Sequence, residues 1–363
     1  MTRQEMHPGA EGVIDLRSDT VTLPTPAMLE RMQRAPLGDD GREGDPTVRA
    51  LEEMAASLTG KEAAVFVPSG TMGNLLAVLV HAPRSTDVFA DAGAHLFNTE
   101  IGSLTTIAGQ VPRSVAANRG AMDEAALEAA IKASRASGRP GPGLIWMETT
   151  HNGAGGAVLP VSHMARVHAL GRASGLPVHV DGARLFNAAT ALGMEARNIA
   201  VHADSIMFCL SKGLSAPVGS MLSGDRKFIA KARTFRKLVG GNMRQAGVIA
   251  AAGMVALETM IGRLQEDHQA AKRLAKGLAW LDPALADSDQ VQTNILRMDV
   301  AGSDRDATDW ASALARHGIL VQAGGAMQLR LVTHRHIDRD AVDRTIAAFT
   351  AVAGVGAAAL APE

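Results

Sequence analysis

ADSIMFCLSKGLSAP, residues 203–217, is the stretch on which the reading of this chain turns. Its first half, from Ser205 to Leu210, is an apolar run of strand length, the pattern of a buried strand. It stops abruptly at Ser211-Lys212-Gly213, and Pro217 follows. An amine at the mouth of such a strand is partly desolvated, which disfavours its charged form. The neutral form is the one that attacks a carbonyl. Among the eight lysines, Lys61, Lys132, Lys227, Lys231, Lys272 and Lys276 lie in charge-rich, helix-like surroundings; Lys237 is the other one near a glycine-rich turn. Taken alone, Lys212 also fits a lysine that snorkels at a strand end.

Upstream, LPVHVDGAR at 176–184 is a second short strand that ends in a polar residue, Asp181, followed by Gly182. An acid at one strand end and a lysine at the next is what pyridoxal 5'-phosphate (PLP) asks of a protein. The carboxylate keeps the pyridinium nitrogen protonated, so that the ring acts as an electron sink, and the lysine holds the aldehyde. In an open parallel sheet, ligands bind outside the carboxyl ends of the strands, where both side chains would project. A plain turn-forming role for Asp181 stays open.

Composition sets the bounds. With 363 residues, a net charge of −1, 47% hydrophobic and 20% charged residues, the chain has the makeup of a soluble globular enzyme with a large core in two lobes. No basic block suggests nucleic acid. The single cysteine, Cys209, cannot form an intrachain disulfide, which fits a reducing compartment. The polar start at 1–12 lacks a signal-peptide core, and the apolar run at 246–257 is short for a bilayer; a cytoplasmic protein without a membrane partner is expected. There is no tyrosine, so the general base must be His, Lys, Asp, Glu, Cys or water, and a stacking plate must be Phe, Trp or His.

In chain order, 14–22 is an extended entry segment in which Ser18 either meets a substrate carboxylate or caps a turn. A helix runs from Thr25-Pro26 to about Arg34. LGDDGREGDP at 37–46 is a lid or interface loop without calcium-loop spacing. A helix at 48–58 and a strand at 63–67 lead to Pro68-Ser69-Gly70-Thr71-Met72-Gly73-Asn74, small residues before a helical run at 75–81. Exposed N–H groups at such a junction suit a phosphate. After a strand at 87–90, His95 is the candidate ring-stacking plate, with Glu100 either orienting it or facing solvent. A charged helix at 123–136 and a loop at 137–143 precede a strand at 144–149, beyond which His151 is a candidate proton carrier. His163 and His168, on the helix at 161–174, lack a metal-ligand set and read as surface residues; no metal site is expected. Beyond Lys212 come a strand at 219–222, a basic helix, and Arg244 beside a glycine pair, placed to reach a phosphate. Long helices fill 246–281, where the strand–helix alternation ends. A smaller α+β lobe follows, with strands at 294–298 and 328–332. Arg330, within the last strand, is either a rim residue or a bidentate carboxylate clamp. His334 and His336 read as solvated turn residues.

Together these stretches resemble the threonine aldolases of the fold-type I PLP enzymes. The matching segments are DLRSDTVT (15–22), KEAAVFVPSGTMGN (61–74), ETTHNGAGG (148–156), HVDGARLFNA (179–188), DSIMFCLSKGLSAPVGS (204–220), GGNMRQAG (240–247), RLQEDH (263–268) and LRLVTH (329–334). The resemblance implies an α/β fold with a mostly parallel central sheet and flanking helices over 14–250, and a smaller C-terminal α+β domain over 251–363. It implies that Lys212 holds PLP, Asp181 pairs with the ring nitrogen and His95 stacks on the ring. Ser69, Gly70, Thr71 and Ser211 would hold the phosphate, with Arg244 supplied across a dimer interface. Ser18, Arg184 and Arg330 would bind the substrate carboxylate, and His151 would lie near the β-hydroxyl. Lys237 falls in a family active-site segment, and a homotetramer built from dimers is implied. One departure stands out: after Gly-Asp-Asp the family typically continues Val-Tyr-Gly, whereas this chain reads Gly41-Arg42-Glu43-Gly44, and no tyrosine role passes to Arg42.

The expected activity is reversible retro-aldol cleavage of L-β-hydroxy-α-amino acids (threonine, allo-threonine, phenylserine) to glycine and an aldehyde. Two alternatives remain: β-elimination or transamination on the same scaffold, which would give ammonia or keto acid without aldehyde, and a non-catalytic PLP-binding protein. The retained Lys212, Asp181 and His95 speak against the second.

Overall fold

The computed structural model describes residues 12–282 and 284–354, and the chain divides into two units. The larger, Leu23–Gly262, contains seven strands in one sheet: β1 (Ala63–Val67), β2 (Asp87–Asp91), β3 (Val111–Val115), β4 (Pro142–Glu148), β5 (Val178–Asp181), β6 (Ser205–Cys209) and β7 (Ser220–Gly224). Their order is β1-β7-β6-β5-β4-β2-β3. Neighbours from β6 to β3 are parallel, while β7 runs antiparallel to both β1 and β6. The central strands are buried and largely apolar because helices cover both faces of such a sheet. Every residue of β5 and β6 is buried. The parallel arrangement brings the carboxyl ends of β2, β4, β5 and β6 to one rim, which is where polar residues interrupt the apolar runs.

Helices α1 (Pro26–Gln33), α2 (Pro46–Thr59), α3 (Gly70–His81), α4 (Glu124–Ala136), α5 (Val161–Ala173), α6 (Leu185–Leu192), α7 (Arg226–Leu238) and α8 (Gly247–Val255) complete this unit. Side-chain caps start several of them: Thr25, Asp45, Ser69, Asp123 and Asp225 each accept a first-turn N–H. Helix α3 starts at Gly70, earlier than the helical run expected at 75–81. Ser69 accepts from Met72 N at 3.2 Å, and this cap outweighs the low helix propensity of Gly70 and Gly73. His163, read as a surface residue, is buried on α5 with Nδ1 3.2 Å from Glu124 Oε1.

The second unit joins the chain up to Thr22 with the chain from Arg263 onward. Ile14–Asp15 pairs in parallel with Ile319–Leu320. Strands β8 (Ile295–Asp299), β9 (Gln322–Gly325) and β10 (Gln328–Val332) form an antiparallel sheet in the order β8-β10-β9. Its core includes Leu16, Leu274, Leu278, Trp310, Leu329, Leu331 and Phe349, drawn partly from α9 (Leu264–Leu281), α10 (Ala307–Ala315) and α11 (Arg339–Ala353). The division thus differs from 14–250 and 251–363. The entry segment is a strand of the smaller unit, and α8 packs on α1 and α2 of the larger one. His334 is buried rather than solvated, and its Nε2–H donates to the Asp15 carbonyl at 2.8 Å. The helical stretch Gly247–Leu281 is long and apolar enough to cross a membrane by composition. More than half of its most apolar window, 56%, lies buried inside the protein, as in a core helix.

Candidate active site

Four of the parallel strands each deliver a titratable residue to the rim. Asp181 closes β5. Lys212 follows β6 and is half-buried, and its charge acts on the Asp181 carboxyl. His151 follows β4, and His95 follows β2. Glu148, the last residue of β4, ties two of these loops together: its oxygens accept from His95 N at 2.6 Å and Asn152 N at 2.8 Å.

Asp181 is buried, and it is held from two sides. Asn74 Nδ2 donates to Oδ2 at 2.9 Å and Ala183 N donates to Oδ1 at 2.9 Å. Burial first, then the Glu148 and Glu100 carboxylates, push its pKa up to about 6, against the pull of Lys212 and His95. Such a carboxylate calls for a cationic partner. His95 Nδ1 lies 3.3 Å from Glu100 Oε1, and this hydrogen bond raises the His95 pKa. Burial opposes charge on His151. The Asp91 carboxylate, 2.9 Å from His151 Nε2, and the charges of Glu148 and Asp181 outweigh it, so the imidazole is more basic than usual.

The first turn of α3 carries N–H groups that no intrahelical carbonyl reaches. This turn approaches β6 closely because it lacks side chains there. A Cβ on Gly70 would sit 2.9 Å from Cys209 Sγ, and one on Gly73 would sit 2.7 Å from Met207 Cγ. Ser69 and Thr71 flank this turn, with Thr71 hydrogen-bonded to Glu100. A lysine, a buried acid and a helix start facing one rim match the aldehyde, ring nitrogen and phosphate of PLP.

A protein-family model described as beta-eliminating lyase matches residues 15–301. Low-specificity L-threonine aldolase 1 of Arabidopsis thaliana is 44% identical over 340 residues, covering 93% of this chain and 95% of that protein. The low specificity L-threonine aldolase of Escherichia coli K12 is 39% identical over 336 residues, covering 90% and 96%. The chain belongs to the low-specificity L-threonine aldolase family. A solved threonine aldolase from Leishmania major shares the fold, with a TM-score of 0.78 at 18% identity over 94% of this chain and 99% of that one.

The residues expected from the threonine aldolase resemblance fall into three groups. Lys212, Ser211, Asp181, Arg184, His95, His151, Ser69, Gly70 and Thr71 lie at the strand ends or helix starts of the larger unit's sheet, with Arg184 buried at the start of α6. Ser18 and Arg330 are in the smaller unit. Ser18 caps a short turn by accepting from Thr20 N at 3.3 Å, and Arg330 Nη1 donates to the Arg17 carbonyl at 3.0 Å and to Gln322 Oε1 at 2.9 Å. Arg244 is 71% exposed, with Nη1 3.5 Å from Asp39 Oδ1, and Lys237 is exposed near the end of α7. Arg42, in the loop where the family carries tyrosine, is exposed beside Asp39 at 3.6 Å. Asn74, Asp91 and Glu148 were not singled out from sequence. Each acts through a partner on another strand, and only the position of Asp91 and Glu148 at strand ends hinted at them.

Proposed function

We infer that this protein catalyses PLP-dependent aldol cleavage of threonine-type L-β-hydroxy-α-amino acids to glycine and an aldehyde. The observation that carries this is the pairing of Lys212 with buried Asp181 at adjacent parallel strand ends. When bound, PLP supplies the electron sink for the Cα–Cβ bonding pair. Lys212 holds the cofactor's aldehyde, and Asp181 keeps the ring nitrogen protonated. The Ser69, Gly70 and Thr71 turn, with Ser211, holds the phosphate, and His95 faces the ring. Arg184 is proposed to bind the substrate carboxylate. His151, held by Asp91 at Nε2 and by the Ala154 N–H at Nδ1 (3.1 Å), gives up the second contact to accept the β-hydroxyl proton, so that the aldehyde carbonyl can form.

L-threonine, L-allo-threonine and L-phenylserine are the proposed substrates. A homotetramer in which exposed Arg244 reaches the phosphate of a neighbouring subunit, in the cytoplasm, completes the proposal. The test is to incubate the purified enzyme with each substrate and quantify both products. Glycine and aldehyde released in equal amounts are expected; ammonia or keto acid without aldehyde would overturn the assignment.

A further inference from the structure

Behind Asp181, a chain of polar side chains crosses the interior of the sheet, away from the residues that would meet substrate. His81 Nε2 lies 2.7 Å from Ser205 Oγ, and the same oxygen lies 2.7 Å from His179 Nδ1. His179 Nε2 is 3.4 Å from Asn74 Oδ1, and Asn74 Nδ2 reaches Asp181 Oδ2 at 2.9 Å and Glu100 Oε2 at 3.1 Å. Asn74, His179, Ser205, Asp181 and Glu100 are all buried, so every donor and acceptor in the chain must be satisfied internally.

Only one arrangement of protons satisfies it. Two carboxylates face Asn74 Nδ2, so the amide must present its N–H groups to them and its oxygen to His179. That oxygen only accepts, which makes His179 Nε2 the donor. Burial, joined by the charge of His81, holds the His179 pKa well below its ordinary value; the ring is neutral, and Nδ1 must accept. The single Ser205 proton therefore goes to His179 Nδ1, and Ser205 Oγ accepts from His81 Nε2. Every donor in the chain points toward Asp181 and Glu100. Trp146, whose ring lies 4.5 Å from that of His179, holds the imidazole in place.

We propose that Asn74 and His179, locked in one orientation by Ser205, are positioning residues that hold the Asp181 carboxylate toward the cofactor's ring nitrogen. The assignment rests on the PLP reading above. Asn74 also joins Asp181 to Glu100, and hence to His95, so the group at the ring nitrogen and the group at the ring face are fixed by one amide.

The test uses the apoprotein and two ligands: PLP, and its carbocyclic analogue in which a carbon replaces the ring nitrogen. Asn74→Leu should weaken PLP binding about ten- to a hundredfold, the loss expected when a carboxylate loses a buried hydrogen bond, and leave affinity for the analogue unchanged. Ser205→Ala, a smaller change without contact to the cofactor, should shift the PLP-to-analogue ratio in the same direction by severalfold. Equal losses for both ligands would mark a general packing defect and overturn the proposal, as would an unchanged ratio in both variants. If the parent protein itself does not prefer PLP over the analogue, it is the Asp181 assignment that fails, and this inference fails with it.

Discussion

His151 is nine-tenths or more withdrawn from solvent yet keeps a proton more firmly than a free imidazole, because Asp91, Glu148 and Asp181 together outweigh the cost of burial. A proton acceptor must be neutral to work, so activity should fall as pH drops through this raised pKa. Asp91→Asn removes the nearest negative charge; the acid limb of kcat/KM should move to lower pH, and an unmoved limb would mean another group accepts the proton. Replacing the ring, His151→Gln, should slow aldehyde release by about 10²- to 10⁴-fold without changing PLP absorbance. Asp181 offers a second test. Its folded-state pKa of about 6 lies above the ordinary 3.8, so its contribution to stability is full below the ordinary value and is lost as pH rises through about 6. Cofactor-free Asp181→Asn should therefore melt above the cofactor-free parent at pH 8 and show no such gain at pH 4. A lower Tm at pH 8 would contradict this. Lys212, Asp181, His95 and His151 were legible in the sequence because each is a polar residue that ends or closely follows an apolar strand. Asn74 was not. It stands among small residues whose backbone N–H groups read as a phosphate site, and its own role depends on Asp181 and Glu100, which arrive from other parts of the chain.

At the scale of elements, apolar runs of strand length separated by helical segments gave the parallel sheet and the carboxyl-terminal rim. What they did not give was the start of α3, where a serine cap overrides two glycines, or how the loop at 37–46 is held. That loop is pinned by charge. Arg236 Nη2 meets Asp40 Oδ2 at 2.6 Å with both side chains buried, and Arg236 Nη1 donates to the Phe66 carbonyl at 2.7 Å. Asp45 accepts from the backbone of both Gly38 and Gly247, fastening the same loop to the start of α8. Arg236→Met would leave Asp40 without its cation, a loss of about 3–5 kcal/mol for a broken buried pair. Chemical denaturation should show it as a lower midpoint with an unchanged slope. A change within about 0.5 kcal/mol, the range of ordinary surface substitutions, would show that the loop is held in another way.

At the scale of the whole molecule, the compact units part at Thr22 and Gly262, bounds that the strand–helix alternation does not mark. The entry segment finds its partner strand some three hundred residues later, a pairing that local periodicity does not carry. The larger unit also exposes Ile107 and Leu238, 49% and 76% accessible, on one groove shared with Phe235 and Val239. The proposed tetramer would cover this apolar surface. Light scattering should give the mass of four 37.8-kDa chains, reduced in Leu238→Asp; a parent protein at the mass of one chain would contradict the proposed assembly. The central claim is that Lys212, at the end of β6, carries the cofactor. The most direct measurement is to reduce the PLP-loaded enzyme with borohydride, which fixes the lysine–cofactor bond, then digest it and locate the added mass. One pyridoxyl phosphate group per chain on Lys212 is the predicted result. Label on Lys237 or another lysine, or no label at all, would contradict it.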